Sequence, residues 1–236
     1  MATRATSRTD RLKWFLKDRT AISRSWSTRY GEGRRTPGWM TFNNFTFHSS
    51  TMSRNPLTSD KSKVVEDLRR AIRDVRDFPK PGIIFKDVTP VLLDVALFKQ
   101  AVKSMSDPYR DARVSRVVSI ESRGFLFGAP IALALGAGLV PIRKPGKLPA
   151  ATQRVEYALE YGTDALEMHH DAVQPGDRVL VVDDVLATGG TANAAAQLVG
   201  NAGAAVVGFS FLIELDFLQG RDRLQGRRVE ALLHYG

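Results

Sequence analysis

Two adjacent carboxylates, Asp183 and Asp184, follow an apolar run and stand just before a loop of small residues. The loop residues are Ala187, Thr188, Gly189, Gly190 and Thr191. Small side chains let backbone N–H groups approach an anion, and a following helix adds the positive end of its dipole. Carboxylates do not bind phosphate directly, but they accept hydrogen bonds from sugar hydroxyls. The order of these residues therefore predicts one site for a phosphate and a ribose.

Polar and basic side chains also follow two other apolar runs, 116–120 and 139–142. These side chains are Glu121, Ser122, Arg123, Arg143, Lys144 and Lys147. A basic cluster alone is more often a solvated surface than a ligand site. Its repetition after successive strands favours a site, because cationic groups pair with phosphates. We therefore expect a site that holds several phosphates together with a sugar.

Strand-like and helix-like segments alternate along the chain from residue 63 onward. The apolar patterns predict strands at 116–120, 139–142, 178–182, 204–215 and 229–233. They predict helices at 63–75, 91–105, 125–135 and 192–199. This alternation is typical of βαβ units, so the predicted fold class is α/β, with a mainly parallel twisted sheet flanked by helices. Ligands of such sheets bind beyond the carboxyl ends of the strands, where the polar clusters are expected to lie.

Two segments stand outside this alternation. Prolines at 79, 81 and 90 exclude a long helix through 77–90, which we interpret as a shaped loop with a short extended piece, Ile83–Phe85. Phe85 either packs within this loop or stacks on a flat ligand. Residues 150–168 alternate apolar and polar in places, which indicates a β-hairpin or a flap that turns at Tyr161–Gly162.

The composition narrows the possible chemistry. The 236 residues contain no cysteine, which excludes disulfides, thiolate nucleophiles and cysteine-ligated metals. His169 and His170 are adjacent, but no further histidine lies nearby at metal-ligand spacing, so we interpret them as surface or strand-end histidines. The chemistry must therefore rest on oxygen and nitrogen groups.

The net charge of +9 is concentrated near the N-terminus. Residues 1–60 hold 11 Lys and Arg against 4 Asp and Glu, whereas residues 61–236 hold 23 against 21. The predicted folded part is thus nearly neutral, which argues against nucleic acid as a partner. No run approaches the roughly 18 apolar residues of a membrane span, so we expect no membrane association.

Residues 1–60 show no sustained helix or strand period and are rich in Arg, Ser and Thr. We expect a basic, disordered leader, followed by one domain over 61–236. Three interpretations of the leader stay open: sequence upstream of a start at Met52, which we favour, an organelle transit peptide, or a nucleic-acid-binding arm. We accordingly expect a cytoplasmic protein, or an organellar one if residues 1–51 are a transit peptide.

Four segments together resemble the type I phosphoribosyltransferases, and within them the members that use adenine. VVDDVLATGGT at 181–191 resembles the signature that binds phosphoribosyl pyrophosphate (PRPP), which by itself is typical of the whole superfamily. The narrower resemblance rests on FPKPGIIFKDVTP at 78–90, ESRGFLFG to RKPGKLP at 121–149 and YALEYGTDALEMH at 157–169. It covers nearly all of residues 63–236 and implies a small hood at about 77–90 and a flexible flap at about 145–167.

The resemblance implies roles for the residues at the strand ends. Ala187 to Thr191 would hold the 5′-phosphate through backbone N–H groups and threonine hydroxyls, and Asp183 and Asp184 would face the ribose hydroxyls. The residues implied to bind the pyrophosphate are Glu121, Ser122, Arg123, Arg143, Lys144 and Lys147. In this family the loop at 121–123 often contains a non-proline cis peptide bond.

The resemblance assigns the base and the flap to other residues. Phe85 would stack on adenine, and main-chain groups near Ile84 and Lys86 would read the edge of the base. Glu160 and Tyr161 match the flexible loop that closes over the substrates. Glu160 is the best candidate for a general acid or base.

The implied reaction joins adenine N9 to C1′ of PRPP and yields AMP and pyrophosphate. Asp184 would stabilise the oxocarbenium-like ribose, while Mg²⁺ and Arg123 would spread the charge of the leaving pyrophosphate. Mg²⁺ would be held mainly by phosphate oxygens and water, without direct protein ligands. The family also implies a homodimer. Two alternatives stay open: an enzyme for another base, such as hypoxanthine, guanine, xanthine or orotate, or a PRPP-sensing regulator of the same fold.

Overall fold

The computed structural model describes residues 57–158 and 163–236. These residues belong to the unit Arg54–Gly236. Residues 1–56 of the expected leader lie outside the described residues, as do Glu160 and Tyr161 between the two strands of the expected flap.

Strands and helices alternate over the central part of the chain, as the apolar patterns predict. The α-helices are α1 (Leu57–Ala71), α2 (Thr89–Leu93), α3 (Val95–Ser106), α4 (Gly124–Leu135) and α5 (Gly190–Asn201). The strands are β1 (Arg73–Arg76), β2 (Ile84–Asp87), β3 (Arg116–Ile120), β4 (Gly138–Ile142), β5 (Thr152–Ala158), β6 (Thr163–His169), β7 (Arg178–Leu186), β8 (Ala205–Leu215) and β9 (Val229–Tyr235). Short 3-10 helices cover Asp107–Ala112, Asp216–Leu218 and Gly220–Leu224.

Five parallel strands form the central sheet, in the order β4-β3-β7-β8-β9. β7 lies in the middle, and residues 179–182 are fully buried because both faces of the sheet are covered. Since all five strands run in the same direction, their carboxyl ends lie at one edge of the sheet. The predicted α/β fold with a mainly parallel sheet is confirmed.

Each face of this sheet packs against its own hydrophobic cluster. Alternation along β7 sends Val179 and Val181 into one cluster and Leu180 and Val182 into the other. Side chains of α5 and of β5 and β6 contribute to the first cluster, and side chains of α1, α3 and α4 contribute to the second. This two-sided core fixes β7, and with it the residues at the carboxyl end of β7.

Two small antiparallel sheets complete the described fold. The hood sheet consists of β1 and β2, in which Val75 lies opposite Phe85. The flap strands are β5 and β6, which pair from Thr152 opposite His169 to Ala158 opposite Thr163. The flap strands confirm the hairpin predicted over 150–168.

Two predicted helices differ from the observed ones. The first helix ends at Ala71 rather than at Val75, because residues 73–76 pair with β2 and form a strand. The helix expected at 91–105 is divided at Asp94, whose side chain accepts two backbone hydrogen bonds from the first turn of α3 and so starts a new helix. No described helix is long and apolar enough to cross a membrane.

β7 is longer than the strand predicted at 178–182. It runs to Leu186 because its pairing with β8 continues until Leu186 lies opposite Glu214. Asp183 and Asp184 therefore lie inside the strand and not in a turn after it. The other four strands of the sheet begin and end within two residues of the predicted positions.

Candidate active site

The small-residue loop 187–191 joins β7 to α5 at the carboxyl edge of the sheet. Gly189 caps α5 with a φ of 77°, which residues other than glycine rarely adopt. The loop and the end of β7 line a pocket of about 70 Å³, whose wall includes Thr188 and Thr191. N–H groups of the first helical turn and the threonine hydroxyls therefore supply donors for an anion.

Asp183 and Asp184 lie beside this pocket and influence each other. Asp184 is only 4% exposed, and its backbone N–H donates to Asp183 Oδ1 at 2.8 Å. Burial and the neighbouring charge of Asp184 raise the pKa of Asp183 well above its usual range. Burial also raises the pKa of Asp184, although Arg123 opposes this shift. Burial thus disfavours negative charge on both carboxyls, and a ligand that donates hydroxyl hydrogen bonds or carries positive charge would stabilise their charged forms.

Arg123 links the acidic pair to the hood sheet. Its Nε lies 2.8 Å from Asp184 Oδ2, but the N–H does not point at this oxygen, which receives no aligned hydrogen bond from any described residue. The guanidinium also covers the Phe85 ring, with Cζ 4.7 Å from the ring centroid. Arg123 thus contacts both the residue predicted to bind the base and a residue predicted to face the ribose.

Glu121 binds the basic residues that follow β4. It accepts hydrogen bonds from Arg143 Nε and Nη2, each at 3.1 Å, and from Lys147 Nζ at 2.9 Å. The backbone N–H of Lys144 donates to it at 3.1 Å. These donors, Arg143 above all, lower the pKa of Glu121 to about 2. The Glu121–Ser122 peptide bond is cis, as the resemblance implies.

The flap strands add two residues that the sequence analysis did not single out. Lys144 Nζ lies 2.8 Å from Asp164 Oδ2, and the Tyr157 hydroxyl donates to the same oxygen at 3.3 Å. The hydrogen bond with Asp164 raises the pKa of Lys144, and burial raises the pKa of Tyr157. Strand alternation was the available signal, because Tyr157 shares a face of β5 with the buried Val155.

These groups line a single cleft of about 410 Å³. The lining residues are Ile120, Glu121, Ser122, Arg123, Lys144, Tyr157, Leu166, Asp183, Asp184, Val185, Ala187 and Thr191. The cleft joins loop 187–191, which is the predicted phosphate loop, to the acidic pair Asp183 and Asp184 and to the basic strand ends. Its volume suits a small-molecule ligand. Arg143 and Lys147 connect to its wall through Glu121.

The hood sheet carries the residues predicted to bind the base. The Phe85 ring packs edge-on against Phe78, with ring centroids 5.1 Å apart. Ile84, next to Phe85, is 51% exposed. Phe78 thus holds the Phe85 ring in place, and the Arg123 guanidinium lies on the face of that ring. Flat groups stack in this geometry.

The Lys86 side chain anchors the hood sheet instead of reaching toward the cleft. Its Nζ lies 2.7 Å from Asp74 Oδ1 on the paired strand and 4.0 Å from the ring centroid of Tyr235 at the end of β9. The Arg69 guanidinium also contacts the Tyr235 ring, at 4.9 Å. Two cations therefore tie the hood sheet and α1 to the last strand of the central sheet.

Possible metal ligands occur elsewhere in the described part of the chain. His170 is exposed, and His169 Nε2 is buried without a described hydrogen-bond partner. One set of described side chains lies close enough together to hold a cation: Glu214, Asp216 and His234. Arg221 Nε already donates to both oxygens of Glu214, at 2.7 and 2.8 Å. This cluster is therefore an ion-pair network.

Comparison with known proteins first defines the class. A model of the phosphoribosyl transferase domain matches residues 92–229, which is more than half of the chain. The matched range contains the phosphate loop, the acidic pair and the basic strand ends. The chain therefore contains a phosphoribosyl transferase domain.

Individual relatives show which kind of phosphoribosyltransferase this chain resembles. The adenine phosphoribosyltransferase of Myxococcus xanthus (strain DK1622) is 59% identical over 172 residues, which cover 73% of this chain and 94% of that protein. The crystal structure of adenine phosphoribosyltransferase from Rhodothermus marinus DSM 4252 is 52% identical, covers 74% of this chain and 99% of its own, and superposes with a TM-score of 0.72. The chain belongs to the adenine phosphoribosyltransferase family.

A more distant relative was crystallised with ligands. The Saccharomyces cerevisiae adenine phosphoribosyltransferase, in complex with D-2,5-dideoxy-2,5-imino-altritol 1,6-bisphosphate and adenine, is 39% identical. The match covers 73% of this chain and 99% of the yeast chain, with a TM-score of 0.70. The shared fold thus extends over nearly the whole yeast chain.

Proposed function

We propose that this protein transfers the 5-phosphoribosyl group of PRPP to adenine and releases AMP and pyrophosphate, a reaction of purine salvage. Family membership supports this reaction. The structural observation that carries the assignment is the bridge made by Arg123, which joins the Phe85 ring to Asp184. A flat aromatic face next to a buried carboxylate suits a purine base and the ribose attached to it.

We assign the 5′-phosphate to loop 187–191 and the ribose to Asp183 and Asp184. Asp183 borders both the loop pocket and the larger cleft, so a ribose between them would reach its carboxylate. Positive charge develops on the ribose when its bond to pyrophosphate breaks. A buried carboxylate such as Asp184 stabilises that charge more strongly than a solvated one, because the local dielectric constant is low.

We assign the pyrophosphate to the basic wall of the cleft. Arg123 and Lys144 line the cleft directly, and Glu121 holds Arg143 and Lys147 at fixed positions before substrate arrives. Ser122 and its cis peptide complete this wall.

Adenine replaces the Arg123 guanidinium on the Phe85 ring in this proposal, and Arg123 turns to the pyrophosphate. Both groups are flat and stack on an aromatic face. Backbone groups of Ile84 and Lys86 then hydrogen-bond to the edge of the base, since the Lys86 side chain is committed to Asp74 and Tyr235.

Mg²⁺ is the cofactor that the family implies. Among the described residues, the carboxylates that line the cleft are Glu121, Asp183 and Asp184, and Glu121 is already paired with Arg143 and Lys147. This donor set fits a Mg²⁺ ion held mainly by pyrophosphate oxygens and water. Mg²⁺ bound there would neutralise part of the charge of the leaving pyrophosphate.

Glu160 is our candidate for the group that exchanges a proton with adenine, and Tyr161 for a group that covers the bound substrates. Glu160 follows Tyr157 by three residues, and Tyr157 lines the cleft. Replacing Glu160 by Gln removes the titrating group and should lower kcat by about 10²- to 10⁴-fold. Full turnover by the Glu160→Gln variant would refute this role.

A homodimer is part of the proposal. α4 and the edge strand β4 expose three large apolar side chains: Leu126, Leu133 and Leu139. A second copy of the chain would remove them from water. Light scattering during size-exclusion chromatography should give the mass of a dimer, and a lower mass for Leu133→Glu. A monomeric unaltered protein would contradict this assembly.

We further propose that residues 61–236 form the catalytic domain, that residues 1–51 take no part in catalysis, and that the enzyme acts in the cytoplasm. A chain that lacks residues 1–51 should retain kcat and both KM values. A large loss of activity would show that the leader contributes to the site.

The reaction itself is tested by offering the purified protein Mg²⁺, PRPP and one base at a time. The panel is adenine, hypoxanthine, guanine, xanthine and orotate, and nucleotide formation is measured. We expect AMP from adenine, with a far higher kcat/KM than for any other base. Absence of AMP would refute the proposal, and product from another base alone would favour a different phosphoribosyltransferase.

A further inference from the structure

The back of the phosphate loop rests on a segment that lies more than 30 residues away in the sequence. Gly220 is buried and begins the 3-10 helix Gly220–Leu224, between β8 and β9. A Cβ atom added to Gly220 would lie 2.2 Å from the carbonyl oxygen of Ala187, and one added to Gly189 would lie 2.3 Å from the carbonyl oxygen of Gly220. The two backbones therefore touch directly, with no room for a side chain on either side.

Gly220 is fixed in this position by its neighbours. Arg221 forms a two-pronged ion pair with Glu214, which is 3% exposed, and its Nη1 donates to the Val229 carbonyl at 2.9 Å. Leu224, at the other end of the 3-10 helix, is buried in the same hydrophobic cluster as α5. The segment behind the loop is thus anchored both to β8 and β9 and to the core.

We propose that Gly220 and the Arg221–Glu214 ion pair are positioning residues for the 5′-phosphate. They hold the carbonyl side of loop 187–191, so that the N–H groups of the loop face the ligand in a fixed geometry. The inference rests on the proposed assignment of the phosphate to this loop. It adds residues outside the family signature to the phosphate site.

The loop depends on such support because its donors are backbone N–H groups and hydroxyls. A flexible cationic side chain follows a phosphate that moves, whereas a backbone N–H donates only along one direction. Misplacement of a substrate-binding group by about 1 Å lowers activity by as much as about 10²-fold. A methyl group at residue 220 would push the Ala187 carbonyl away, because a Cβ atom essentially never lies closer than 3.0 Å to another heavy atom that is not bonded to it.

The first test compares Gly220→Ala with a matched control, Gly200→Ala. Gly200 lies near the end of α5, and a Cβ there would meet nothing within 4 Å. We expect Gly220→Ala to raise the KM for PRPP by about 10- to 100-fold, with the KM for adenine changed by less than about twofold. Gly200→Ala should change neither value. An equal rise in both KM values would contradict the positioning role, because general damage to the fold affects both substrates.

A second variant keeps the test valid if Gly220→Ala does not fold. Glu214→Gln preserves the shape of the side chain and removes the charge that holds Arg221. We expect a several-fold rise in the KM for PRPP alone, and a thermal unfolding scan confirms that the variant is folded. An unchanged KM for PRPP in a folded Glu214→Gln variant would overturn the role of the ion pair.

Thr191→Val separates this inference from the function on which it rests. Thr191 lines both the loop pocket and the cleft, so loss of its hydroxyl should raise the KM for PRPP if the loop binds phosphate. If the KM for PRPP rises with Thr191→Val but not with Gly220→Ala, the positioning role is refuted and the phosphate assignment stands. A rise with neither variant would refute both.

Discussion

The phosphate loop and the hood sheet are held in place by different forces. Loop 187–191 follows the central strand of the sheet, and its backbone lies against the backbone of Gly220. The hood sheet has two strands of four residues and is tied to β9 through the Lys86 side chain and the Tyr235 ring. The geometry of the proposed phosphate site is therefore fixed by the core, whereas the geometry of the proposed base site depends on a few side-chain contacts near the surface.

The fold thus supports the proposed phosphate site and the proposed base site independently of each other. The phosphoribosyl group is common to the reactions of all phosphoribosyltransferases, and the site proposed for it consists of backbone groups and of carboxylates beside them. The base differs among members of the superfamily, and a small sheet with exchangeable contacts accommodates such variation. Substitutions on the two sides should consequently raise the KM of different substrates.

Among substitutions in these two regions and the carboxylates beside them, the largest effect is expected for Asp184→Asn. This substitution removes the buried carboxylate that we propose faces the ribose, and we expect kcat/KM to fall by about 10²- to 10³-fold with little change in folding. Steady-state kinetics and a thermal unfolding scan measure the two quantities. Asp171→Asn, at an exposed position, is the control and should be silent. Near-normal kcat/KM for Asp184→Asn would remove Asp184 from the catalytic site.

Phe85→Ala should weaken adenine binding, because Phe85 lies in the hood sheet. Stacking of a base on an aromatic ring contributes about 1–3 kcal/mol, so the KM for adenine should rise by roughly 5- to 150-fold. The KM for PRPP should stay nearly constant, and Phe85→Tyr should restore adenine binding because it keeps the ring. A selective rise in the KM for PRPP would show that Phe85 contributes to PRPP binding and not to adenine binding.

Acid should lower the stability of the fold by protonating Glu121, which lies in the proposed pyrophosphate wall. Its folded-state pKa of about 2 lies below the usual 4.5, so its ion pairs stabilise the fold above pH 4.5, and this contribution is lost as the pH falls toward 2. We expect Glu121→Gln to lose on the order of 1–2 kcal/mol of stability at neutral pH, and less at pH 2–3. Urea unfolding at several pH values measures this difference. A difference that is constant with pH would contradict the ion-pair explanation.

The smallest effect is expected for Tyr235→Ala. The cation–π contact with Lys86 contributes about 0.5–1 kcal/mol, which corresponds to a rise of roughly two- to fivefold in the KM for adenine alone. Tyr235→Phe retains the ring and should behave like the unaltered protein. If Tyr235→Ala raises both KM values equally, the hood sheet is not anchored separately from the phosphate loop.

Much of this site could be predicted because the informative residues are close together in sequence. The run from Asp183 to Thr191 contains carboxylates, small residues and a helix start within nine positions, and the strand at 116–120 was correct to the residue. The apolar pattern alone separates these segments. The sheet edge then follows from the general behaviour of parallel strands.

The features that could not be predicted depend on contacts between distant residues. Nothing near Gly220 in the sequence indicates that it touches Ala187, and the length of β7 is set by its pairing with β8. The resemblance implies a role only for main-chain groups near Lys86, and the contact of the Lys86 side chain with Tyr235 could not be predicted because it requires the hood sheet to lie beside β9. Such contacts are consequences of the tertiary fold and leave no local pattern.

A crystal structure of the protein with AMP would test the division between the two regions most directly. We expect the 5′-phosphate within hydrogen-bonding distance of the N–H groups of residues 188–191, and adenine stacked on Phe85 where the Arg123 guanidinium now lies. The ribose hydroxyls should contact Asp183 and Asp184. A phosphate bound away from this loop, or a base bound elsewhere while Arg123 stays on Phe85, would contradict the proposed site.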